Sequence, residues 1–185
     1  MNQLEKAIID GTRTAQKEYQ KMTEGWWLSH GPESFIEHAV AIKVARIGFS
    51  VYPEASPKKI RLDLKAPPRG RPAKNLGQRF DIVVWYKTTN KIRAIIEIKR
   101  AWSIRSLRGD RTKVANFLRQ KRGAHAGYLL AYTEAKGTRC ETTLSRRLDY
   151  WADHFECTLA GKHIDPERDA AQWGWCIGLF RVKAR

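Results

Sequence analysis

FDIVVWY at residues 80–86 and IRAIIEI at residues 92–98 are the two segments most informative about the architecture of this chain. Both are rich in β-branched and aromatic residues, which favour β-strands. Thr89 and Asn90 lie in the polar connection between them, as is typical of a tight turn. The two segments are therefore predicted to pair as a β-hairpin within a central sheet.

Helical and strand patterns on both sides of this hairpin predict the rest of the domain. Apolar side chains recur at helical spacing between Glu33 and Ile47, with Pro32 before them and Gly48 after them as terminal signals. The order predicts an α/β fold in which helices flank a mixed central β-sheet. The other predicted helices cover residues 3–22, 110–120 and 141–155, and the other strands cover residues 49–52, 127–132 and 175–182.

The chain length of 185 residues favours one main domain. Residues 1–32 are predicted to be an N-terminal helical extension, and residues 33–185 the main domain. Residues 53–79 differ from their surroundings because they carry five of the seven prolines and many cations. An edge strand or hairpin is an alternative within this segment, but its proline content excludes a central strand, and we expect an exposed basic arm.

The composition excludes several classes of protein. With 42% hydrophobic and 29% charged residues, the chain is typical of a soluble globular protein. Its three cysteines form no CxxC pair, which disfavours a structural zinc site and fits a reducing, cytoplasmic compartment. No run approaches the length of apolar sequence that a membrane-spanning helix needs, so we expect no membrane association.

The positive charge is concentrated on both sides of the hairpin. Residues 58–79 carry eight Lys or Arg and one Asp, and residues 99–122 carry nine and one Asp. Together they account for +15 of the formal net charge of +16. Such a surface favours a polyanionic partner, above all nucleic acid. The residues predicted to contact it are Lys58, Lys59, Arg61, Arg69, Arg71, Lys74, Arg79, Arg100, Arg105, Arg108 and Arg111.

Asp81, Glu97 and Lys99 form the constellation that could carry chemistry. Glu97 and Lys99 are two residues apart on one strand, so their side chains point to the same side. In a hairpin, Asp81 on the preceding strand can approach Glu97. Neighbouring carboxylates repel each other, and a hard divalent cation such as Mg²⁺ relieves that repulsion. The alternative is a strand-edge ion pair between Glu97 and a nearby arginine.

Over roughly residues 33–132, the order of these elements resembles the PD-(D/E)XK, or restriction-endonuclease-like, nucleases. The matching features are an acid in a first helix, a strand with Asp81, a strand ending in Glu97-Ile98-Lys99, a helix and another strand. ESFIEHAVAIKVARIGFSV is similar to the first helix and strand of the archaeal Holliday-junction resolvases, where an acid lies eleven residues before Gly-Phe, here Glu37. Phe80 stands where the family pattern has a proline.

The resemblance implies a restriction-endonuclease-like core and a role for each motif residue. Asp81, Glu97 and the backbone carbonyl of Ile98 would hold Mg²⁺ or Mn²⁺, and Lys99 would act on the attacking water. Glu37 would assist, with Glu33 one turn earlier as its alternative, and Lys113 would add a cation from the next helix, with Asp110 as a weaker choice there.

The functional expectation is a metal-dependent endonuclease that hydrolyses DNA phosphodiester bonds with structure specificity or weak sequence specificity. Its substrate would be double-stranded or branched DNA, and a homodimer is expected because duplex cleavage on this fold often pairs two sites. The expected setting is the cytoplasm of a bacterium or archaeon, or a phage. The alternatives are a non-catalytic nucleic-acid-binding or complex-building protein on the same fold and an RNA-associated basic protein.

Overall fold

The computed structural model describes residues 1–55, 79–89, 91–120, 124–166 and 173–184. Four α-helices and a short 3-10 turn, Leu28–His30, lie within these residues, together with six strands. The helices are α1 (Gln3–Met22), α2 (Glu33–Arg46), α3 (Ile104–Leu118) and α4 (Cys140–His154). The strands are β1 (Phe49–Ala55), β2 (Phe80–Tyr86), β3 (Ile92–Arg100), β4 (Ala126–Lys136), β5 (Thr158–Pro166) and β6 (Trp173–Val182).

The six strands form one sheet in the order β1-β2-β3-β4-β6-β5. β3 and β4 are parallel, and α3 makes the crossover that parallel neighbours require. Every other neighbouring pair is antiparallel, so the sheet is mixed. The predicted α/β class, with helices flanking a mixed central sheet, is confirmed.

The β2–β3 hairpin sets the position of the two key carboxylates. Ile82 pairs with Ile96 and Val83 with Ile95 in antiparallel register. One further step in the same register brings Asp81 opposite Glu97. Directly opposed side chains on an antiparallel pair lie on one face of the sheet and close together.

Helices cover both faces of the sheet. The side chains of Ile82 and Ile96 pack into one core with α1 and α2, including Ile8 and Ile36. The alternate strand residues pack into a second core with α3 and α4, including Val83, Ile95, Leu107, Val114, Leu144 and Leu148. Burial on both faces explains why β2 and β3 read as nearly continuous apolar runs.

α1 crosses α2 at very short range. A Cβ at Gly11 would lie 2.7 Å from the Cα of Val40, closer than real Cβ contacts come, so the crossing needs glycine at this position. α1 thus contributes to the core that α2 shares with the sheet. The domain boundary at residue 32 stays a prediction.

Three features differ from the sequence expectations. β5 was not expected: its segment, TLAGKHIDP, has few apolar residues, and it forms an edge strand through pairing with β6. α3 begins at Ile104 rather than near residue 110, after Ser103 in extended conformation. β1 continues through Pro53 to Ala55, which is tolerated because β1 is an edge strand. Most of the basic arm lies outside the described residues.

No helix in the described part of the chain combines the length and apolar character needed to cross a membrane.

Candidate active site

Asp81 and Glu97 lie together at one end of the central strands, where β2 begins and β3 approaches its C-terminal end. The Glu97 side chain is only 3% exposed. Burial raises its pKa to about 8, and the neighbouring Asp81 carboxylate adds to the rise. Burial also raises the pKa of Asp81, against the opposing effect of its hydrogen bond from Ile98. The predicted approach of the two carboxylates is thus present in the structure.

A backbone hydrogen bond holds the Asp81 carboxylate against β3. The amide of Ile98 donates to Asp81 Oδ2 at 2.6 Å. A charge-assisted bond of this length fixes the carboxylate against rotation. Asp81 is therefore held beside residue 98, the residue whose carbonyl the family resemblance offers as a third metal ligand.

Lys113 on α3 reaches Glu97 from the second face of the sheet. Its Nζ lies 2.7 Å from Glu97 Oε2 and also donates to the Arg79 carbonyl at 2.5 Å. The Lys113 side chain is only 13% exposed, so the pair is shielded from water. Glu97 Oε1 is buried and has no hydrogen-bond partner among the described residues.

Glu33, in the first turn of α2, ties that helix to the end of β3. Glu33 Oε1 accepts a hydrogen bond from the Arg100 amide at 2.9 Å and lies 3.6 Å from Lys99 Nζ. The carboxylate partner of Lys99 thus comes from α2, whereas Lys113 belongs to α3 on the other face of the sheet.

Glu37 lies one turn further along α2, close enough to Asp81 for their charges to interact. Burial raises the pKa of Glu37, and the charge of Asp81 raises it further. Its Oε1 accepts a hydrogen bond from the Glu54 amide at 3.2 Å. Asp110 on α3 completes the cluster: burial raises its pKa, while Lys113 and Lys99 oppose the rise. The five carboxylates that converge are Glu33, Glu37, Asp81, Glu97 and Asp110.

Asp81 and Glu97 are the carboxylates best placed to bind a divalent cation. Among the described residues, no three His, Cys, Asp or Glu side chains are arranged to hold a metal ion by themselves. Mg²⁺ commonly takes one or two protein carboxylates and completes its shell with water and substrate phosphate. Glu97 Oε1 lies next to Asp81 with no partner in the described part of the chain, and a carboxylate oxygen is the kind of hard ligand that Mg²⁺ binds. The two carboxylates therefore fit Mg²⁺ or Mn²⁺.

The predicted nucleic-acid contacts have different environments. Arg105 and Arg108 are exposed on α3, the helix that also carries Asp110 and Lys113. Arg79 forms an ion pair with Glu54 at 2.9 Å. Arg111 turns toward α4 and donates to the Phe155 carbonyl at 3.4 Å. Lys58, Lys59, Arg61, Arg69, Arg71 and Lys74 lie outside the described residues.

Arg100 has a distinct environment at the end of β3. Its guanidinium lies 4.8 Å from the centre of the Trp102 ring. Its Nε is buried without a hydrogen-bond partner in the described part of the chain. Tyr132, paired with Arg100 across the parallel β3–β4 ladder, has a buried hydroxyl that is likewise unpartnered there. Tyr132 was not expected at the site, and the β4 pairing register is the only signal that could have found it.

Comparison of the chain with protein-family models, curated proteins and solved structures gives no match. The geometry of the carboxylate cluster is therefore the basis for the functional inference.

Proposed function

We propose that this protein is a metal-dependent endonuclease that hydrolyses DNA phosphodiester bonds, and that it belongs with the PD-(D/E)XK nucleases that its motifs resemble. The observation that carries the proposal is the pairing of half-buried Asp81 with buried Glu97, one of whose oxygens has no hydrogen-bond partner among the described residues. Neighbouring carboxylates withdrawn from water cost stability, and such groups cluster at functional sites.

Asp81, Glu97 and the Ile98 carbonyl would hold Mg²⁺ or Mn²⁺. The bound ion would neutralise charge on the scissile phosphate and lower the pKa of a water molecule. The hydrogen bond from the Ile98 amide keeps Asp81 oriented toward that position. Glu37, whose pKa responds to Asp81, adds negative potential on the α2 side of the same position.

The two lysines have different tasks in this proposal. Lys113 is buried against Glu97, so it orients that carboxylate and favours its ionised form. Lys99 is partly exposed and paired with Glu33. Its ammonium can therefore orient the attacking water or stabilise charge that develops on the phosphate.

The positive charge supports DNA as the substrate. Residues 99–122 carry a net charge of +8 and include Arg105 and Arg108, which are exposed on the same helix as Asp110 and Lys113. Lysine and arginine contacts to phosphate position a duplex without reading its sequence. Weak sequence specificity or recognition of DNA structure follows, and a homodimer would place two such sites on opposite strands.

The direct test is cleavage of supercoiled and branched DNA with Mg²⁺, Mn²⁺ or EDTA. We expect Asp81→Asn and Glu97→Gln to abolish metal-dependent cleavage while DNA binding is retained. Asp10 is a partly exposed carboxylate on α1, so Asp10→Asn is the matched control and should cleave DNA normally. Cleavage that persists in EDTA or in Asp81→Asn would overturn the proposal. Salt-dependent binding without cleavage under any metal would identify the non-catalytic alternative.

A further inference from the structure

Two of the seven tryptophans stand out because their side chains face solvent. Trp26 is 60% exposed and Trp102 is 50% exposed, whereas the others are buried or half-buried. Tryptophan is the largest side chain, and leaving it in water forfeits the stabilisation that its burial would give. An exposed ring beside a candidate active site therefore needs a reason beyond packing.

Trp102 emerges where β3 ends. The Ala101 amide donates to the Tyr132 carbonyl at 2.9 Å, so the chain stays attached to the sheet up to the residue before the tryptophan. Lys99 and Arg100 come just before Ala101, and both contact Glu33. The ring thus stands at the same sheet edge as the carboxylate cluster, on a short and well-anchored segment.

Arg100 holds the Trp102 ring in place. The guanidinium lies 4.8 Å from the ring centre, within the range of a cation–π contact. Arg100 is itself fixed through its backbone amide, which donates to Glu33. The ring is therefore oriented in advance, while half of its surface stays accessible to a ligand.

Trp26 lies at the same edge of the sheet. Its ring packs edge-on against His30 at 5.3 Å, and His30 Nε2 is 3.7 Å from Glu134 Oε1 near the end of β4. Because β3 and β4 are parallel, their C-terminal ends share one edge. Both exposed tryptophans therefore lie near the C-terminal ends of β3 and β4.

We propose that Trp102 is a stacking platform for an unpaired base next to the scissile phosphate, an inference that rests on the nuclease function proposed above. Bases within a duplex already stack on each other, whereas an unpaired base has a free π-face for an aromatic side chain. The surrounding cations bind the adjoining phosphates. The preferred substrate is accordingly DNA with single-stranded nucleotides at the cleavage site.

The test measures the DNA affinity of variants that also carry Asp81→Asn, in EDTA, so that the result does not depend on cleavage. Single-stranded oligonucleotides and matched duplexes are compared by fluorescence anisotropy. We expect Trp102→Ala to weaken single-strand binding about tenfold and leave duplex binding within about twofold. Trp102→Phe should restore most of the loss, because a phenyl ring still stacks. Tyr150 is an exposed aromatic residue on α4, so Tyr150→Ala is the matched control for Trp102→Ala.

A base analogue gives a direct readout of stacking. An oligonucleotide carrying 2-aminopurine should lose fluorescence on binding the Asp81→Asn protein, and Trp102→Ala should remove that quenching. Equal weakening of single-strand and duplex binding, or no weakening, would overturn the stacking role. A change of oligomeric state in Trp102→Ala would overturn it in favour of a contact with a second copy. If Trp102→Ala with Asp81 intact cleaves DNA as the wild type does, the nuclease proposal stands and the stacking role of Trp102 is overturned.

Discussion

Lys113 Nζ lies 2.7 Å from Glu97 Oε2, while Lys99, two residues from Glu97 on the same strand, lies 3.6 Å from Glu33. The lysine that contacts the buried glutamate therefore comes from α3, sixteen residues along the chain. The strand lysine is left at the more exposed end of the cluster. Lys113 can therefore orient the Glu97 carboxylate, while Lys99 is left accessible to water and phosphate.

Metal affinity should rise with pH. Glu97 has a pKa of about 8 in the folded protein, because burial and Asp81 disfavour its charged form. A metal must displace the proton, so raising the pH from 6.5 toward 8 should strengthen Mg²⁺ binding by up to about tenfold per unit, with a plateau above 8. Calorimetric titration with Mg²⁺ measures this. Glu97→Gln should abolish binding at every pH, and a pH-independent affinity in the wild type would contradict the assignment.

Removal of Lys113 should shift the pH profile of cleavage to higher pH. Lys113 lowers the pKa of Glu97, so its loss raises that pKa and reduces the ionised fraction at neutral pH. We expect Lys113→Met to lose most activity at pH 7 and to regain part of it at pH 9. Lys99→Met should instead lower kcat at every pH. Identical profiles for the two variants would contradict the division of roles.

The two glutamates of α2 should affect different kinetic parameters. The charges of Glu37 and Asp81 interact, so Glu37→Gln should raise the Mg²⁺ concentration needed for half-maximal cleavage. Glu33 pairs with Lys99, so Glu33→Gln should lower kcat with little change in the metal requirement. Metal titrations of cleavage rate for both variants provide the measurement. The reverse assignment would show that Glu33 is the metal-side acid.

The tight α1–α2 crossing should be sensitive to one methyl group. Gly11→Ala places a Cβ 2.7 Å from the Val40 backbone, which cannot move as a side chain can. Overpacking of this kind costs about 1–3 kcal/mol, measured by chemical denaturation. Gly109→Ala is the matched control, because no atom of the described residues lies within 4 Å of the added Cβ. Since alanine favours a helix over glycine, this change should raise the free energy of unfolding by about 0.5–1 kcal/mol. Equal effects would exclude steric overlap at Gly11 as the cause.

The exposed arginines of α3 should account for part of the salt dependence of DNA binding. Each phosphate contact contributes about 0.9 to the slope of log affinity against log salt. We expect Arg105→Gln with Arg108→Gln to reduce that slope by about 2. Arg111→Gln should leave the slope unchanged, because the Arg111 guanidinium donates to the Phe155 carbonyl. An equal reduction in both cases would show that all of α3 contacts the backbone.

Much of the site could be predicted from local patterns. Two adjacent apolar strands with an acid at matching positions are enough to bring Asp81 and Glu97 together, because antiparallel register follows from the hairpin. On the sequence, Asp110 is a weaker candidate for the site than Lys113. The structure places Asp110 inside α3, one turn from Lys113, so both point at the same cluster. β5 could not be predicted, because its strand conformation depends on the neighbouring β6.

The α/β class, the β2–β3 hairpin and the concentration of positive charge could be predicted from the sequence alone, because periodicity, turn residues and net charge are local properties. Only the packed fold shows which lysine contacts Glu97, which arginines face solvent and which tryptophans stay exposed. These depend on how α2 and α3 pack against the ends of β3 and β4, and contacts between distant segments have no signature in local spacing.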